Sequence, residues 1–502
     1  MKNSTQVLAI GIDAAEPSLA RRLIDRGEMP ALKRLEERGA WKRVESPAHV
    51  GSGAVWPTFI TGKDAREHGV YGEWCWQPRT MGIERYSGHG LTPFWKSLAR
   101  EEGMTVGIFD VPFFPVLGLP AGFEISEWGA HDILEGRTEI QPARLSEFIS
   151  QTTSHPFQLE YFDAAGPDDD ARLAKMHAAC LDGVRLRGEL AGRLIVETRP
   201  DLAVVVFPEI HHAGHYFWPT VAPRHPLYAD DRFRRLRATN ELEEIYSEVD
   251  RQIGKLIEVA GEEAFVMVFS LHGMRPTLGV PAFLDRLMLE TGWARLAGWA
   301  SQSWRERARS LFAAVKRHTP AALKKLYYKS VSRTTAHQLA QSTMIPAYDW
   351  TRTRAFSLPT DQHGWLRINL IGREAKGIVE PQKYEETCRE LRQMLEGLRA
   401  GDGRRLVRDC LITSSDVEEA LAQPLPDLII HYEEAAHEAS LRISGLKLET
   451  QSVGKKFTGQ HAPDGFLVAA GDPGVVPNEP TISAKDLHRL IVNALVARRV
   501  TH

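Results

Sequence analysis

The chain has 502 residues, enough to bury a large core in one elaborated domain or in two. Its 62 lysines and arginines face 65 aspartates and glutamates, a near balance that gives no global pull toward a nucleic-acid polymer or an anionic membrane. The four cysteines, Cys75, Cys180, Cys388 and Cys410, are scattered without a CxxC pair, which argues against a disulfide framework and against a thiolate zinc site.

With 19 histidines beside those cysteines, imidazole and carboxylate are the donor types for any metal. No stretch approaches the roughly 20 apolar residues of a membrane span. The N-terminal apolar run is too short for a signal peptide. A soluble cytoplasmic protein without a membrane span is expected, and nothing in the sequence sets an oligomeric state.

In chain order, Gln6–Ile12 reads as a short apolar strand ending in Asp13. That aspartate either caps the helix beginning near Pro17 or binds a metal at the sheet edge. Residues 17–39 read as an amphipathic helical segment broken at Gly27 and Pro30, and Ala40–Val44 as a strand. Gly51 and Gly53 bracket Ser52, which permits close backbone approach to an anion and a turn that exposes the hydroxyl. Val106–Val111 is a further strand, and residues 165–197 form a helix packed on the sheet. Glu127–Asp132, EWGAHD, sets an acid near a histidine without an assigned role.

Asp201–Trp218 is the most informative stretch. Leu202–Phe207 is an apolar, β-branched run of the kind buried in parallel sheets, and it leads straight into Glu209, His211, His212 and His215. His211 and His215 are four apart, so on a helix they share one face and can share one metal ion. Ligand sites of open α/β sheets lie beyond the carboxyl ends of strands, where this cluster falls. Glu209 is either an extra ligand or a residue that orients a ligand histidine.

Ala264–Ser270 is another buried strand, followed by Leu271-His272-Gly273. Residues 281–346 read as a helical insert, within which Arg305–Arg333 sets a basic run against the single acid Glu306. A solvated helical face is the plain reading of that run, and steering of phosphate-bearing substrates the functional one. His363–Val379 returns to strand character; His363 either lines the site or is structural, and Arg367, Asn369 and Arg373 are not read as catalytic. Residues 383–421 read as helical, Asp427–Tyr432 and Phe466–Ala470 as strands, and Ser483–Arg498 as a closing helix. His461 precedes the turn Pro463-Asp464-Gly465.

Gly11-Ile12-Asp13, the Ser52 segment running to Phe59-Ile60-Thr61-Gly62-Lys63, and His68-Gly69 resemble the alkaline phosphatase superfamily, in particular its type I phosphodiesterase/nucleotide pyrophosphatase branch. The resemblance spans most of the chain outside residues 281–346, with motifs in family order. It implies an alkaline-phosphatase-like α/β fold, a mostly parallel sheet flanked by helices on both faces. Residues 1–280 and 347–502 would form the catalytic domain and residues 281–346 a helical insert or cap.

The resemblance also implies roles. Ser52, ten residues before the glycine of Thr61-Gly62, falls on the family's nucleophile, and Asp13 on a metal ligand. His215 and His461 fall on ligands of the first metal, and His211 stands where the family carries an aspartate. His272 falls on a ligand of the second metal, whereas Leu271 replaces the aspartate of the family's SDHG. A zinc enzyme is implied, with manganese as the other candidate ion. One ion would be held tightly by His211, His215 and His461, and a second, labile one by Asp13, His272 and the Ser52 oxygen. The implied reaction is hydrolysis of a small-molecule phosphodiester or nucleotide pyrophosphate through a phosphoseryl enzyme.

Related chemistries of the superfamily are the alternatives: hydrolysis of phosphomonoesters, phosphonates or sulfate esters, or phosphoryl transfer. A formylglycine sulfatase is disfavoured, because no cysteine occupies the nucleophile position. From a different class, the chain could be a metal-depleted, non-catalytic binding protein.

Overall fold

The computed structural model describes residues 5–86, 88, 90–129, 138–145, 149, 155–156, 170–278, 281, 283–298, 344–360, 362–438, 442–443, 457–471 and 474–501. Contacts divide the chain into two compact units. Met1–His68, Ser87–Pro276 and Lys456–His502 make the first, and Gly69–Tyr86 with Thr277–Lys455 the second. This division differs from the expected one, since residues 347–455 group with 277–346 rather than with residues 1–68. Most of the expected insert, including the basic run Arg305–Arg333, lies outside the described residues.

The strands begin with β1 (Val7–Ile12), β2 (Ala40–Glu45), β3 (Trp74–Gln77), β4 (Gly82–Arg85), β5 (Val106–Phe109), β6 (Gly122–Ser126), β7 (Glu139–Gln141) and β8 (Leu202–Phe207). They continue with β9 (Phe265–Ser270), β10 (Gly273–Pro276), β11 (Ala355–Leu358), β12 (Gly364–Ile368), β13 (Val407–Ile412), β14 (Leu428–Tyr432), β15 (Gly459–Ala462), β16 (Asp464–Ala470) and β17 (Thr481–Ser483).

The first unit is built on a nine-stranded sheet of order β17-β2-β16-β9-β1-β8-β5-β6-β7. Its centre, β9, β1, β8, β5 and β6, is parallel throughout. Antiparallel pairings enter only toward the edges, at β16 and β7. Strands covered on both faces must be apolar at every position, and VLAIGI, LAVVVF and FVMVFS are buried from end to end. Their pleat sends Leu8, Ile10, Val205, Phe207 and Val268 into one core, and Val7, Ala9, Val204, Val206 and Phe269 into the other. Helices Pro17–Asp25, Pro30–Glu37, Asp170–Thr198 and Glu241–Ala260 contribute to the first core. Val55–Thr61, Phe94–Arg100 and Leu487–Thr501 contribute to the second. The mostly parallel sheet with helices on both faces is the architecture expected.

The second unit holds the antiparallel sheet β11-β12-β14-β13 and the hairpin β3–β4. Its core is tied by buried ions. Arg367 and Arg373 both reach Glu374, and Arg373 also pairs with Asp427 at 2.7 Å. Asp427 in turn accepts from the Ile368 amide and the Tyr384 hydroxyl. Asn369 donates to the carbonyls of Trp350 and Thr353.

Residues 383–421 are not helical throughout. Helix Tyr384–Glu396 is followed by β13 and then by helix Val417–Ala422. The run Val407–Ile412 pairs with the fully buried β14, and that pairing overrides its weak helical pattern. All four cysteines are free and buried. Among the described residues, no helix is long and apolar enough to cross a membrane.

One buried carboxylate joins two helices of the first unit. Helix Pro30–Glu37 has no side-chain cap from its own N-terminal residue Met29. Asp250, fully buried on helix Glu241–Ala260, instead accepts the amides of Ala31 and Leu32, both at 2.8 Å. Asp250→Ala leaves two helix-end N–H groups unsatisfied and is expected to cost about 1–2 kcal/mol. A lower urea midpoint with unchanged far-ultraviolet circular dichroism is the expected result. An unchanged midpoint would show that the cap contributes nothing.

Candidate metal centre

Strand register assembles the centre. β1 lies between β8 and β9 and parallel to both, with Ile12 opposite Phe207 and Gly11 opposite Phe269. The residues just past these carboxyl ends are Asp13, Glu209 and Leu271-His272. Beyond β8 the chain turns into helix Glu209–Phe217, which carries His211 and His215 one turn apart. β16 runs antiparallel to β9 with Phe466 opposite Ser270, so it starts at the same edge of the sheet. Just before it, β15 sets His461 opposite Met274 of β10.

Three imidazoles converge there. His211 Nε2 lies 3.0 Å from His215 Nε2 and 2.9 Å from His461 Nε2. Among the described residues, these three form a group whose donor atoms all lie within 4.8 Å of one another. The other ring nitrogens settle the tautomers. His211 Nδ1 donates to Asp13 Oδ2 at 2.6 Å, and His215 Nδ1 donates to the Gly459 carbonyl at 2.8 Å. Both acceptors lack a proton to give, so each Nδ1 carries the hydrogen and each Nε2 presents its lone pair inward. Lone pairs facing one another at this distance repel unless a cation shares them. Zn–N bonds of about 2.0–2.1 Å in a tetrahedron place nitrogens about 3.3 Å apart, a few tenths from the two distances at His211. The donor set fits a zinc-type ion with an open fourth position.

Electrostatics agrees with this. Burial and then the neighbouring His211 lower the His215 pKa to about 3. Burial and the facing imidazoles of His272, His211 and His215 hold His461 well below the ordinary histidine value. Both rings are neutral near pH 7, with lone pairs available to a metal.

Asp13 is 2% exposed and engaged through both oxygens. Beside the His211 bond, its Oδ1 accepts the Trp56 indole N–H at 2.9 Å and lies 3.4 Å from His272 Nε2. It does not cap the following helix, because Glu16 does so through the Ser18 amide. Gly11 is required for this arrangement: a Cβ there would stand 2.8 Å from the Trp56 ring.

Ser52 opens a short 3₁₀ turn that runs directly into helix Val55–Thr61, and it stands four residues before Trp56. That helix ends where Gly62 adopts a left-handed φ of 66° and its amide closes on the Thr58 carbonyl. The interval between Ser52 and the Thr61-Gly62 pair is therefore the length of this helical run.

Glu209 is not among the converging residues. Two positions apart on a helix do not face each other, and the Glu209 carboxylate looks away from His211. Its Oε1 is held by Arg187 Nε at 2.8 Å and His155 Nε2 at 2.9 Å. Arg187 Nη1 also pairs with Asp110 Oδ2 at 2.8 Å, and Asp110 accepts the amides of Trp128 and Gly129. Burial pushes the Glu209 carboxyl up, but Arg187 and His155 outweigh it and hold it below the ordinary value. Sequence reasoning missed Asp110, His155 and Arg187; the one local signal was Glu127-Trp128-Gly129, the described part of EWGAHD. His212, a third of a turn from His211, reaches the Gly129 carbonyl instead at 3.2 Å. Leu271 is 1% exposed and belongs to the apolar core that contains Val55, Trp56 and Phe59. His363 lies in the second unit, its ring 5.0 Å from that of His431.

Residues 7–440 match the type I phosphodiesterase / nucleotide pyrophosphatase family. A comparison with curated proteins finds no match. Among solved structures, a phosphonoacetate hydrolase from Sinorhizobium meliloti 1021 in complex with phosphonoformate is 15% identical over 99% of this chain and 96% of that one, with a TM-score of 0.50. An inactive murine ectonucleotide pyrophosphatase / phosphodiesterase 5 in complex with AMP is 12% identical over 98% and 95%, with a TM-score of 0.47. At such identity the hydrolase bears on the fold alone, which it shares. With the family match running over most of its length, the chain belongs to the type I phosphodiesterase / nucleotide pyrophosphatase family, a group of phosphoester hydrolases within the alkaline phosphatase superfamily.

Proposed function

We propose that the protein is a metal-dependent phosphodiesterase that transfers the phosphoryl group of a small-molecule ester to Ser52 and then to water. The observation that carries this reading is the convergence of three imidazole Nε2 atoms beside Asp13, at the carboxyl edge of the sheet. Asp13, Ser52, His211, His215, His272 and His461 all belong to the first unit, which we take as the catalytic body. Four free, buried cysteines suit a reducing, cytoplasmic location.

His211, His215 and His461 would hold zinc. When bound, it would supply Lewis-acid stabilisation of phosphoryl oxygens and lower the pKa of a nearby hydroxyl. Ser52 supplies the nucleophile. Its Oγ forms a bond to phosphorus as the leaving ester oxygen departs on the opposite side, and the serine proton passes to water. Water then attacks the phosphoseryl group in line, releasing the phosphate product and returning the hydroxyl. Asp13 and the Gly459 carbonyl keep His211 and His215 in the tautomer that presents Nε2.

Two outcomes test this reading. Ser52→Ala is expected to lose turnover of a bis-aryl phosphodiester by roughly a thousandfold or more, with fold and metal content kept. Unchanged turnover, or a phosphorylated peptide trapped at another residue, would rule Ser52 out. Elemental analysis of the purified wild type is expected to find tightly held zinc that is lost in His215→Ala. A metal-free wild type that stays active would sink the metal half of the proposal. Phosphomonoester, phosphonate and sulfate ester arms of the same assay rank the alternative leaving groups.

A further inference from the structure

We infer that this centre holds a single divalent ion, and that Asp13 is not its ligand but the positioning residue of His211. The inference rests on the three-histidine reading above and replaces the labile second ion expected from the sequence.

The first argument is where the Asp13 oxygens go. Oδ2 accepts the His211 Nδ1–H at 2.6 Å, and Oδ1 accepts the Trp56 indole at 2.9 Å. A carboxylate on the far nitrogen of a ligand imidazole fixes the ring and raises its basicity, the usual carboxylate–histidine–metal relay. His211 therefore occupies the first coordination shell and Asp13 stands directly behind it.

The second argument is what remains for another ion. Among the described residues, Asp13 Oδ1 and His272 Nε2, 3.4 Å apart, are the carboxylate and imidazole donors at that end of the cluster, the first already accepting the indole N–H, and the third donor expected from the sequence is the Ser52 hydroxyl. Catalytic zinc sites take three protein ligands. With Ser52 committed as the nucleophile, position 271 would be the natural place for a permanent third. The pleat that puts Met267 and Phe269 into the core beside helix Val55–Thr61 carries Leu271 into the same core, where it offers no donor atom.

Charge gives the third argument. One divalent ion against the single carboxylate of Asp13 leaves one net positive charge among neutral imidazoles. Two ions leave three, in surroundings where Asp13 and His272 are each 2% exposed. Uncompensated charge in so little water is strongly disfavoured.

The test reads metal, not turnover. Apo wild type titrated calorimetrically with zinc is expected to take up one tight ion, and elemental analysis after dialysis to find one per chain. Asp13→Asn should still bind one ion, with affinity about 10- to 100-fold lower. The visible bands of its cobalt-loaded form should shift as His211 loses its anionic partner. Trp56→Phe, which removes the indole hold without changing charge, should bind one ion several-fold more weakly, and it serves if Asp13→Asn does not fold. Two tight ions in the wild type would overturn the inference. So would an Asp13→Asn protein with unchanged affinity and spectrum. None of these readings depends on Ser52, so failure of the nucleophile assignment would leave them intact, whereas a wild type that binds no zinc would remove both the inference and the metal half of the proposed function.

Discussion

The hydrogen bond between Asp13 and His211 is the contact on which the centre depends. A carboxylate that is 2% exposed cannot remain ionised without donors. Two of its donors come from different elements: His211 from the helix after β8, and Trp56 from the helix that follows Ser52. The charge at the end of β1 thereby aligns a ligand histidine and the Ser52 segment against one reference point. The tripeptide Gly11-Ile12-Asp13 has a physical reading in these terms. Glycine makes room for the indole, isoleucine fills the core, and aspartate binds the ring.

The opposite face of helix Glu209–Phe217 is held just as firmly. Glu209, its first residue, is fully buried against Arg187, which bridges to Asp110 at the end of β5. Removing one partner of a buried pair typically costs about 3–5 kcal/mol, because the other is left uncompensated. Such a network contributes little net stability over an apolar core, but it specifies one orientation. At the other end of the helix, the Thr458 amide and hydroxyl both bind the His215 carbonyl, and the Gly459 carbonyl takes His215 Nδ1. The segment that delivers His461 is thus tied to the helix that delivers His211 and His215.

The parallel sheet was legible because burial on both faces forces unbroken apolar runs, and LAVVVF and FVMVFS can hardly be anything else. The histidine pair was legible because spacing of four on a helix is a local property. Glu209 was harder to place. Its proximity in sequence suggested the metal, yet helical period turns it away, and its partners stand 22 and 54 residues distant. Nothing local marks Arg187 as the partner of Asp110, 77 positions earlier. Trp56 likewise looks like an ordinary core aromatic until the register of β1 brings Asp13 beneath it. The grouping of residues 347–455 was hidden for a related reason. It rests on β11, β12, β13 and β14 pairing among themselves, and β13 carries no strong strand pattern of its own.

His211 and Leu271 are best understood as one change rather than two losses. Each stands where the family pattern has a carboxylate, and removing two negative charges from a site built for two divalent ions would leave it strongly positive. Losing one ion restores the balance. Asp13, which the pattern assigns to the second metal, is then released to hold His211, whose imidazole needs an acceptor that an aspartate in its place would not. The one-ion centre we infer would carry one net positive charge, which the monoanion of a phosphodiester would cancel and the dianion of a phosphomonoester overshoot. Binding that ends in neutrality at a partly buried site avoids the desolvation cost of leaving a charge behind. The count behind the one-ion inference is thus also a reason for the diester we propose as the substrate.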